Sequence, residues 1–510
     1  MTPGAVQTGA VQTGAVQTGA VQTGAVQTGA VQTGAVQTGA VQTGAVQTGA
    51  VRVGAPRIRR LLIANRGEIA ARVIRTCARL GIESVLAASD ADLDALPARL
   101  ADRVVRLGPA PATASYLDAT AVVRAAQAIA ADAVHPGYGF LSENPVLARA
   151  CADAEIVFVG PSAESLEAVG DKLRARAHAV AAGLPVVPGG EAADLAGARA
   201  VAAEVGYPLL VKAVSGGGGR GMKLVASPDE LSHTLDLAMS EAAAAFGDPR
   251  VYLERFVESG RHVEVQVLGD GTRAVALGDR DCSVQRRYQK LFEEAPAPQL
   301  SEGARAGMAQ AALALAEHLR YRGLGTVELL HDRERDSFYF LEMNARIQVE
   351  HPVTEMVTGL DLVAEQLAVA EGMPLRLRQE EIVLSGHAVE CRINAEDWAH
   401  DFRPSPGRID RVVLPVGDGI RVDTHVQGGS VVPPYYDSLL AKLVVHGRDR
   451  DDALARARAA LQLLRIEGVT TTVPVHQLLL ADPEFAAGGV DTAFFERFLT
   501  SHRPSLVEVS

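Results

Sequence analysis

The sequence predicts an α/β protein whose first globular unit is doubly wound, and three stretches carry that expectation. Arg59 to Asn65 reads as a short apolar strand, Arg66-Gly67 as a turn, and Glu68 to Leu80 as an amphipathic helix stopped by Gly81, with a second strand over Glu83 to Ala88. Strand, helix and strand in that order build a parallel sheet. Further on, the strand from Leu209 runs into Ser215-Gly-Gly-Gly-Gly-Arg-Gly221. Finally, Glu342 to Glu350 alternates polar and apolar residues with the two-residue period of a strand.

Ahead of the patterned region, residues 4–48 are nine copies of Gly-Ala-Val-Gln-Thr, and a degenerate tenth covers Gly49 to Val53. One Val in five residues, with no aromatic and no charge, cannot bury enough surface to offset chain entropy. Residues 1–55 are therefore expected to be a disordered leader, with the working protein starting near Val51 or Val53. The rest is long enough for roughly three domains. With 48% hydrophobic and 22% charged residues the 510-residue chain has an ordinary globular composition. It has no eighteen-residue apolar run and no secretory signal pattern, so membrane association is not expected. A net charge of −12 argues against nucleic acid as the main partner. Cys77, Cys151, Cys282 and Cys391 lack metal-ligand spacing and read as reduced thiols of a cytoplasmic protein.

Asn65-Arg-Gly67 offers one glycine where a dinucleotide fingerprint needs three, so the first unit is not expected to bind NAD. His135-Pro-Gly-Tyr-Gly-Phe-Leu-Ser-Glu-Asn144 follows a strand near Asp132 to Val134. It is either a loop that a ligand approaches closely or a turn into a helix beginning near Ser142. A second unit opens after Gly170-Asp-Lys172. Residues 216–221 satisfy G-x-G-x-x-G, but the element after them reads as a strand, and Met222 stands where a Walker loop needs Lys. What remains is a glycine hairpin backed by Lys212, either a flap over phosphates or a flexible surface loop. Val251 to Val257 reads as a strand fit to be the hinge beside an adenine, and Arg261 to Val267 as one with His262 and Glu264 on the same face. A lone His is usually structural, and the neighbouring motifs raise its standing. Asp281 to Lys290 is polar and basic. Gly325 to Leu330 should pair with Phe338 to Asn344, which would set Glu328 beside Glu342.

The alternation at Glu342 puts Glu342, Asn344, Arg346, Gln348 and Glu350 on one face. Such a face must pair, bind ions or stay solvated. It is either a solvated edge strand or a metal-and-anion site. In the second reading Glu342 and Asn344 offer hard oxygens to Mg²⁺, Arg346 a two-pronged anion contact and Glu350 a general base. Only five of the 49 basic residues are Lys (172, 212, 223, 290, 442), so each retained ammonium is a mild hint of use.

From about Ile58 onward the chain resembles the biotin carboxylase component of biotin-dependent carboxylases, an ATP-grasp enzyme. The resemblance rests on Ile63 to Glu68, His135 to Asn144, the glycine run, Gln285 to Lys290, Glu293 to Pro298, Glu342 to Glu355, Glu390 to Asp397 and Pro433 to Ser438, in that order. It implies an N-terminal domain over 56–170, an ATP-grasp domain over 171–385 with a mobile lid at about 184–256, and an α+β C-terminal domain over 386–500. It also implies roles. Lys172 and Lys212 would hold the ATP phosphates, with Gly218 and Gly219 in the flap. Glu254, Arg255, Phe256, Val257 and His262 would line the adenosine pocket. Glu328, Glu342 and Asn344 would bind Mg²⁺ or Mn²⁺. Lys290, Arg346, Gln348 and Val349 would position bicarbonate and Glu350 would deprotonate it. Arg392 would stabilise carboxyphosphate and the biotin enolate, and Tyr138 and Gly139 would approach the biotin ring.

These residue types suit that chemistry. A carboxylate within reach activates bicarbonate, cations position the phosphoryl group, and a closed flap keeps water from carboxyphosphate. Ala345 departs from the Thr of many members, and Tyr288 from a His that some place near the nucleotide. The sequence has no Ala-Met-Lys-Met motif. Biotin is therefore expected on a separate carboxyl carrier protein or domain, used by a carboxyltransferase subunit, with a homodimer inside a larger acyl-CoA carboxylase. Another ATP-grasp carboxylate–amine ligase and a non-catalytic scaffold subunit are the rival readings.

Overall fold

The computed structural model describes residues 58–214 and 222–507. The repeat and the glycine run, with Gly218 and Gly219, lie outside the described residues.

The chain begins with five parallel strands, β1 (Arg60–Ile63), β2 (Glu83–Ser89), β3 (Arg103–Gly108), β4 (Ala133–His135) and β5 (Val157–Phe158), in the order β3-β2-β1-β4-β5. The order reverses between β1 and β4, so the loops leaving these two strands lie together at their carboxyl ends, where such sheets bind ligands. Asn65 stitches the loops by donating to the carbonyls of Pro136 (2.7 Å) and Tyr138 (2.8 Å). That leaves no room at Gly137, where a Cβ would stand 2.8 Å from the Asn65 amide nitrogen. Helix α1 (Gly67–Leu80) buries Ile69, Ala70, Val73, Ile74 and Cys77, and ends at Gly81 in the left-handed conformation. The helix expected near Ser142 starts instead at Pro145, because Asn144 caps the free N–H groups of Val146 and Leu147.

The segment expected to be a lid is a four-stranded antiparallel sheet of β6 (Gly189–Ala192), β7 (Leu209–Ala213), β8 (Lys223–Val225) and β9 (Val251–Arg255), in the order β6-β9-β7-β8. Helices over Leu195–Val205 and Leu231–Phe246 pack on it, and Ala198, Leu209, Val211, Leu235 and Leu253 give it a core of its own.

The rest is organised by one eight-stranded antiparallel sheet. Its strands are β10 (Gly260–Asp270), β11 (Ala274–Arg286), β12 (Gln289–Ala295), β13 (Arg322–Asp332), β14 (Ser337–Asn344), β15 (His387–Asn394), β16 (Ile420–Thr424) and β17 (Leu439–Gly447). They run in the order β14-β13-β10-β11-β12-β15-β17-β16. Val263, Val265, Val327, Leu329 and Met343 turn one face to a core shared with the helix Glu302–His318. The alternate residues put charge on the other face. Asp281 to Lys290, taken from sequence as a polar segment, forms the hairpin between β11 and β12. The strand read as running to Glu350 ends at Asn344. There Ala345 donates its N–H to Glu143 (3.0 Å) instead of to β13, and a turn leads into helix α2 (His351–Thr358).

Candidate active site

The charged face of the large sheet forms the floor of a cavity of about 1080 Å³. Register decides what meets there. Glu328 on β13 is the direct partner of Glu342 on β14 and of Glu264 on β10. Lys290, from β12, reaches Glu264 Oε2 and Glu350 Oε1 at 2.6 Å each, Glu328 Oε1 at 3.0 Å and Gln348 Oε1 at 3.2 Å. One ammonium therefore gathers three carboxylates and a carboxamide. Behind it Arg280, fully buried, donates to Glu264 Oε1 (2.6 Å), Gln266 (2.8 Å) and Thr354 (2.9 Å). Both Glu264 oxygens are thus committed.

The second cation is Arg392 on β15. Its guanidinium donates to Glu293 Oε1 (2.5 Å) on the neighbouring strand and to Glu350 Oε2 (3.1 Å). Glu350 is thereby suspended between Lys290 and Arg392. Burial alone would raise its carboxyl, but the charges of Lys290, Arg392 and Arg280 outweigh burial and hold it well below the usual range. Glu293 goes the other way. Burial, opposed by Arg392 and assisted by Glu350, pushes it up to about 7.

On the β13–β14 side, Glu328 Oε1 also accepts from Asn344 (2.9 Å) and Gln348 (3.1 Å), while Oε2 meets His262 Nε2 at 2.9 Å. Burial opposes charge on Glu328, and Lys290 and His262 hold it well below its ordinary value. Glu342 is raised, first by burial and then by Glu328. The facing carboxylates of Glu328 and Glu342 repel and offer hard oxygens to a divalent cation, whereas the Asn344 oxygen beside them is engaged by Arg346. Arg346 is drawn aside: Nε donates to Glu143 (2.7 Å) and Nη2 to Asn344 Oδ1 (2.6 Å). The N-terminal loops add Tyr138, Gly139 and Phe140 to the lining of the cavity. The Tyr138 hydroxyl donates to Glu68 at the start of α1.

Comparison with known proteins gives this arrangement a family. The biotin carboxylase N-terminal domain matches residues 57–166, the ATP-binding domain of the carbamoyl-phosphate synthase L chain residues 171–378, and the biotin carboxylase C-terminal domain residues 390–497. The biotin carboxylase of Pseudomonas aeruginosa is 50% identical over 446 residues, 87% of this chain and 99% of that one. That of Nostoc sp. is 49% identical over 441 residues, 86% and 98%. The chain belongs to the biotin carboxylase family. Among solved structures, the Campylobacter jejuni biotin carboxylase complex with β,γ-ATP aligns with a TM-score of 0.82 at 44% identity, over 86% of this chain and 99% of that one. The biotin carboxylase domain dimer of Hydrogenobacter thermophilus 2-oxoglutarate carboxylase, titled with MgADP, ADP and bicarbonate, gives 0.81 at 42%, over 88% and 98%. The fold is accordingly ATP-grasp, and this biotin carboxylase is a ligase that carboxylates biotin with ATP and a divalent metal.

Within the biotin carboxylase cavity the structure assembles Tyr138, Gly139, His262, Lys290, Glu328, Glu342, Asn344, Arg346, Gln348, Val349, Glu350 and Arg392. Lys212 and Glu254 to Val257 stand apart, on or next to lid strands β7 and β9, where Lys212 is ion-paired with Glu254. Lys172 begins the helix Lys172–Ala181, and its charge acts on Glu342. Sequence reasoning gave no role to Glu264, Arg280, Glu293 or Glu143. The first two carried a usable signal, because His262-x-Glu264-x-Gln266 and Arg280-x-Cys282 keep the period of two on which Glu342 was found.

Proposed function

We propose that this chain performs the first half-reaction of an acyl-CoA carboxylase. ATP and bicarbonate would give carboxyphosphate, and its carboxyl group would pass to biotin on a carrier protein or domain. The single observation that carries the bicarbonate chemistry of this reading is the suspension of Glu350 between Lys290 and Arg392 at the floor of one cavity. Lys290, Arg346, Gln348 and Val349 hold bicarbonate, and Glu350 takes its proton. A carboxylate held this far below its usual range is a weak base until its cations find other partners. Incoming anions compete for Lys290 and Arg392, which releases Glu350 towards the basicity the step needs. Arg392 then faces the charge that develops on the biotin ring, which Tyr138 and Gly139 approach, while released phosphate accepts the N1′ proton.

Lys172, Lys212, Gly218 and Gly219 hold the nucleotide phosphates, and Glu254, Arg255, Phe256, Val257 and His262 flank the adenosine. Glu328, Glu342 and Asn344 hold Mg²⁺, or Mn²⁺ in its place. When bound, the ion neutralises phosphate charge and polarises the transferring group. The domain boundaries expected from sequence are proposed together with this assignment. So are a cytoplasmic location, supported by four buried cysteines that form no disulfide, and a homodimer, supported by the dimer named for the Hydrogenobacter domain. A carboxyltransferase subunit completes the proposed assembly. Among the described residues no helix is long and apolar enough to cross a membrane.

The test is ADP release with ATP, bicarbonate and free biotin. Stimulation by biotin that requires bicarbonate is expected. Release driven only by an amine and a carboxylic acid would defeat the reading.

A further inference from the structure

Lys442 lies on β17 as the direct partner of Arg392 on β15, and the assignments above give it no task. Its side chain is fully enclosed. A buried ammonium costs several kcal/mol unless its donors are met, and here two partners meet them. It donates to the Val349 carbonyl at 2.7 Å and pairs with Glu68 Oε1 at 3.0 Å. The Tyr138 hydroxyl donates to the same Glu68 oxygen. A single chain of contacts thus runs from the loop after β4, through the first turn of α1, to the backbone one residue before Glu350.

The turn it reaches is otherwise held from within. The Gln348 carbonyl accepts from His351 Nδ1 (2.7 Å), and that of Glu350 accepts from the Val353 N–H (3.3 Å), both in α2. The Val349 carbonyl is the one held from another strand, so Lys442 ties the turn to the large sheet and to the N-terminal domain together.

We propose that Lys442, with Glu68 and Tyr138, is a positioning residue for bicarbonate. By fixing the Val349 carbonyl it sets the angle at which Glu350 stands between Lys290 and Arg392. Through Glu68 and Tyr138 it ties that angle to the loop that receives biotin. Lys442 touches no reactant and acts through Val349. The inference rests on the assignment of Val349 and Glu350 to bicarbonate, and it goes beyond that assignment by naming what orients them. An error near 1 Å at a reacting group can cost about 10²-fold in rate, so a substitution here should be felt in the site.

The test is ADP release with bicarbonate and ATP varied separately. Lys442→Met keeps the stem and removes the donors. Because it leaves Glu68 buried without its cation, the double variant Lys442→Met/Glu68→Gln is measured beside it. In whichever folds, the bicarbonate KM should rise about tenfold or more while the ATP KM stays within about twofold. Tyr138→Phe, which keeps the ring and removes the hydroxyl that reaches Glu68, should give a smaller rise in bicarbonate KM. A lysine that merely holds the fold would lower the melting temperature and leave bicarbonate KM unchanged, and that result overturns the proposal. Glu350→Gln separates the two layers. If it is impaired while the Lys442 variants keep their bicarbonate KM, only this inference falls. If it retains full turnover, the bicarbonate assignment falls and this inference with it.

Discussion

The lid and the large sheet handle charge in opposite ways. On the sheet, Lys290 and Arg392 leave 12% and 16% of their side chains exposed and touch three and two carboxylates, so these two cations are each held by several partners. On the lid, Lys212 and Lys223 keep part of their side chains exposed and meet one carboxylate each, Glu254 and Glu241. Desolvated charge held by several partners is costly to leave unpaired, whereas a partly exposed ion pair is worth about 1 kcal/mol or less. The floor is therefore organised before substrate arrives. The lid carries cations that can change partner at little cost, which suits the nucleotide-holding role proposed for Lys212.

Substitutions can break or sharpen this contrast. The largest effect is expected on the floor. Glu350→Gln should reduce turnover by roughly 10²-fold or more, the scale of a lost general base, with ATP affinity nearly unchanged. Steady-state ADP release checks it, and unimpaired turnover would remove Glu350 from its role. On the lid, Lys212→Met should raise the ATP KM by up to about tenfold, the loss of one charged phosphate contact, and leave kcat at saturating ATP close to the parent value. A large fall in kcat there would show that the lid cation belongs to the prearranged group after all.

The smallest effect concerns pH. Glu293 is raised from an ordinary 4.5 to about 7 in the folded protein. Between those values the folded state keeps a proton that the unfolded chain has released, so this group makes stability fall as pH rises through that window. Glu293→Gln removes the titration. Its melting temperature should decline less than the parent's between about pH 4.5 and 7, and equal slopes would show that Glu293 is not the group concerned.

Much of this was legible in the sequence, and for an identifiable reason. Alternation of period two marks a face whatever the fold, so Glu342 and Asn344 could be found from local pattern. The partnership of Glu328 with Glu342 followed because only a short polar loop joins β13 to β14. The doubly wound start was equally local, set by the strand, the turn and the glycine stop after α1. Glu293 and Arg392 are different. They meet because β12 pairs with β15, nearly a hundred residues later, and no local feature encodes that neighbour. Glu143 was missed, and Lys442 was noted only as a retained lysine without its partners, for the same reason. Lys442 works on the backbone of a segment ninety-three residues away, and Glu143 ends the strand at Asn344 from another domain.

The unbroken sheet from β14 to β16 has one further consequence. Four strand spacings separate β13, which carries Glu328, from β15, which carries Arg392, and at about 4.8 Å each that is roughly 19 Å. Hydrogen-bonded ladders fill the whole interval, so no hinge can lengthen or shorten it. The sheet is a fixed gauge between the carboxylate of β13 and the guanidinium of β15. Whatever moves above it, Lys290 and Glu350 bridge that interval with side chains rooted in backbone that cannot drift apart.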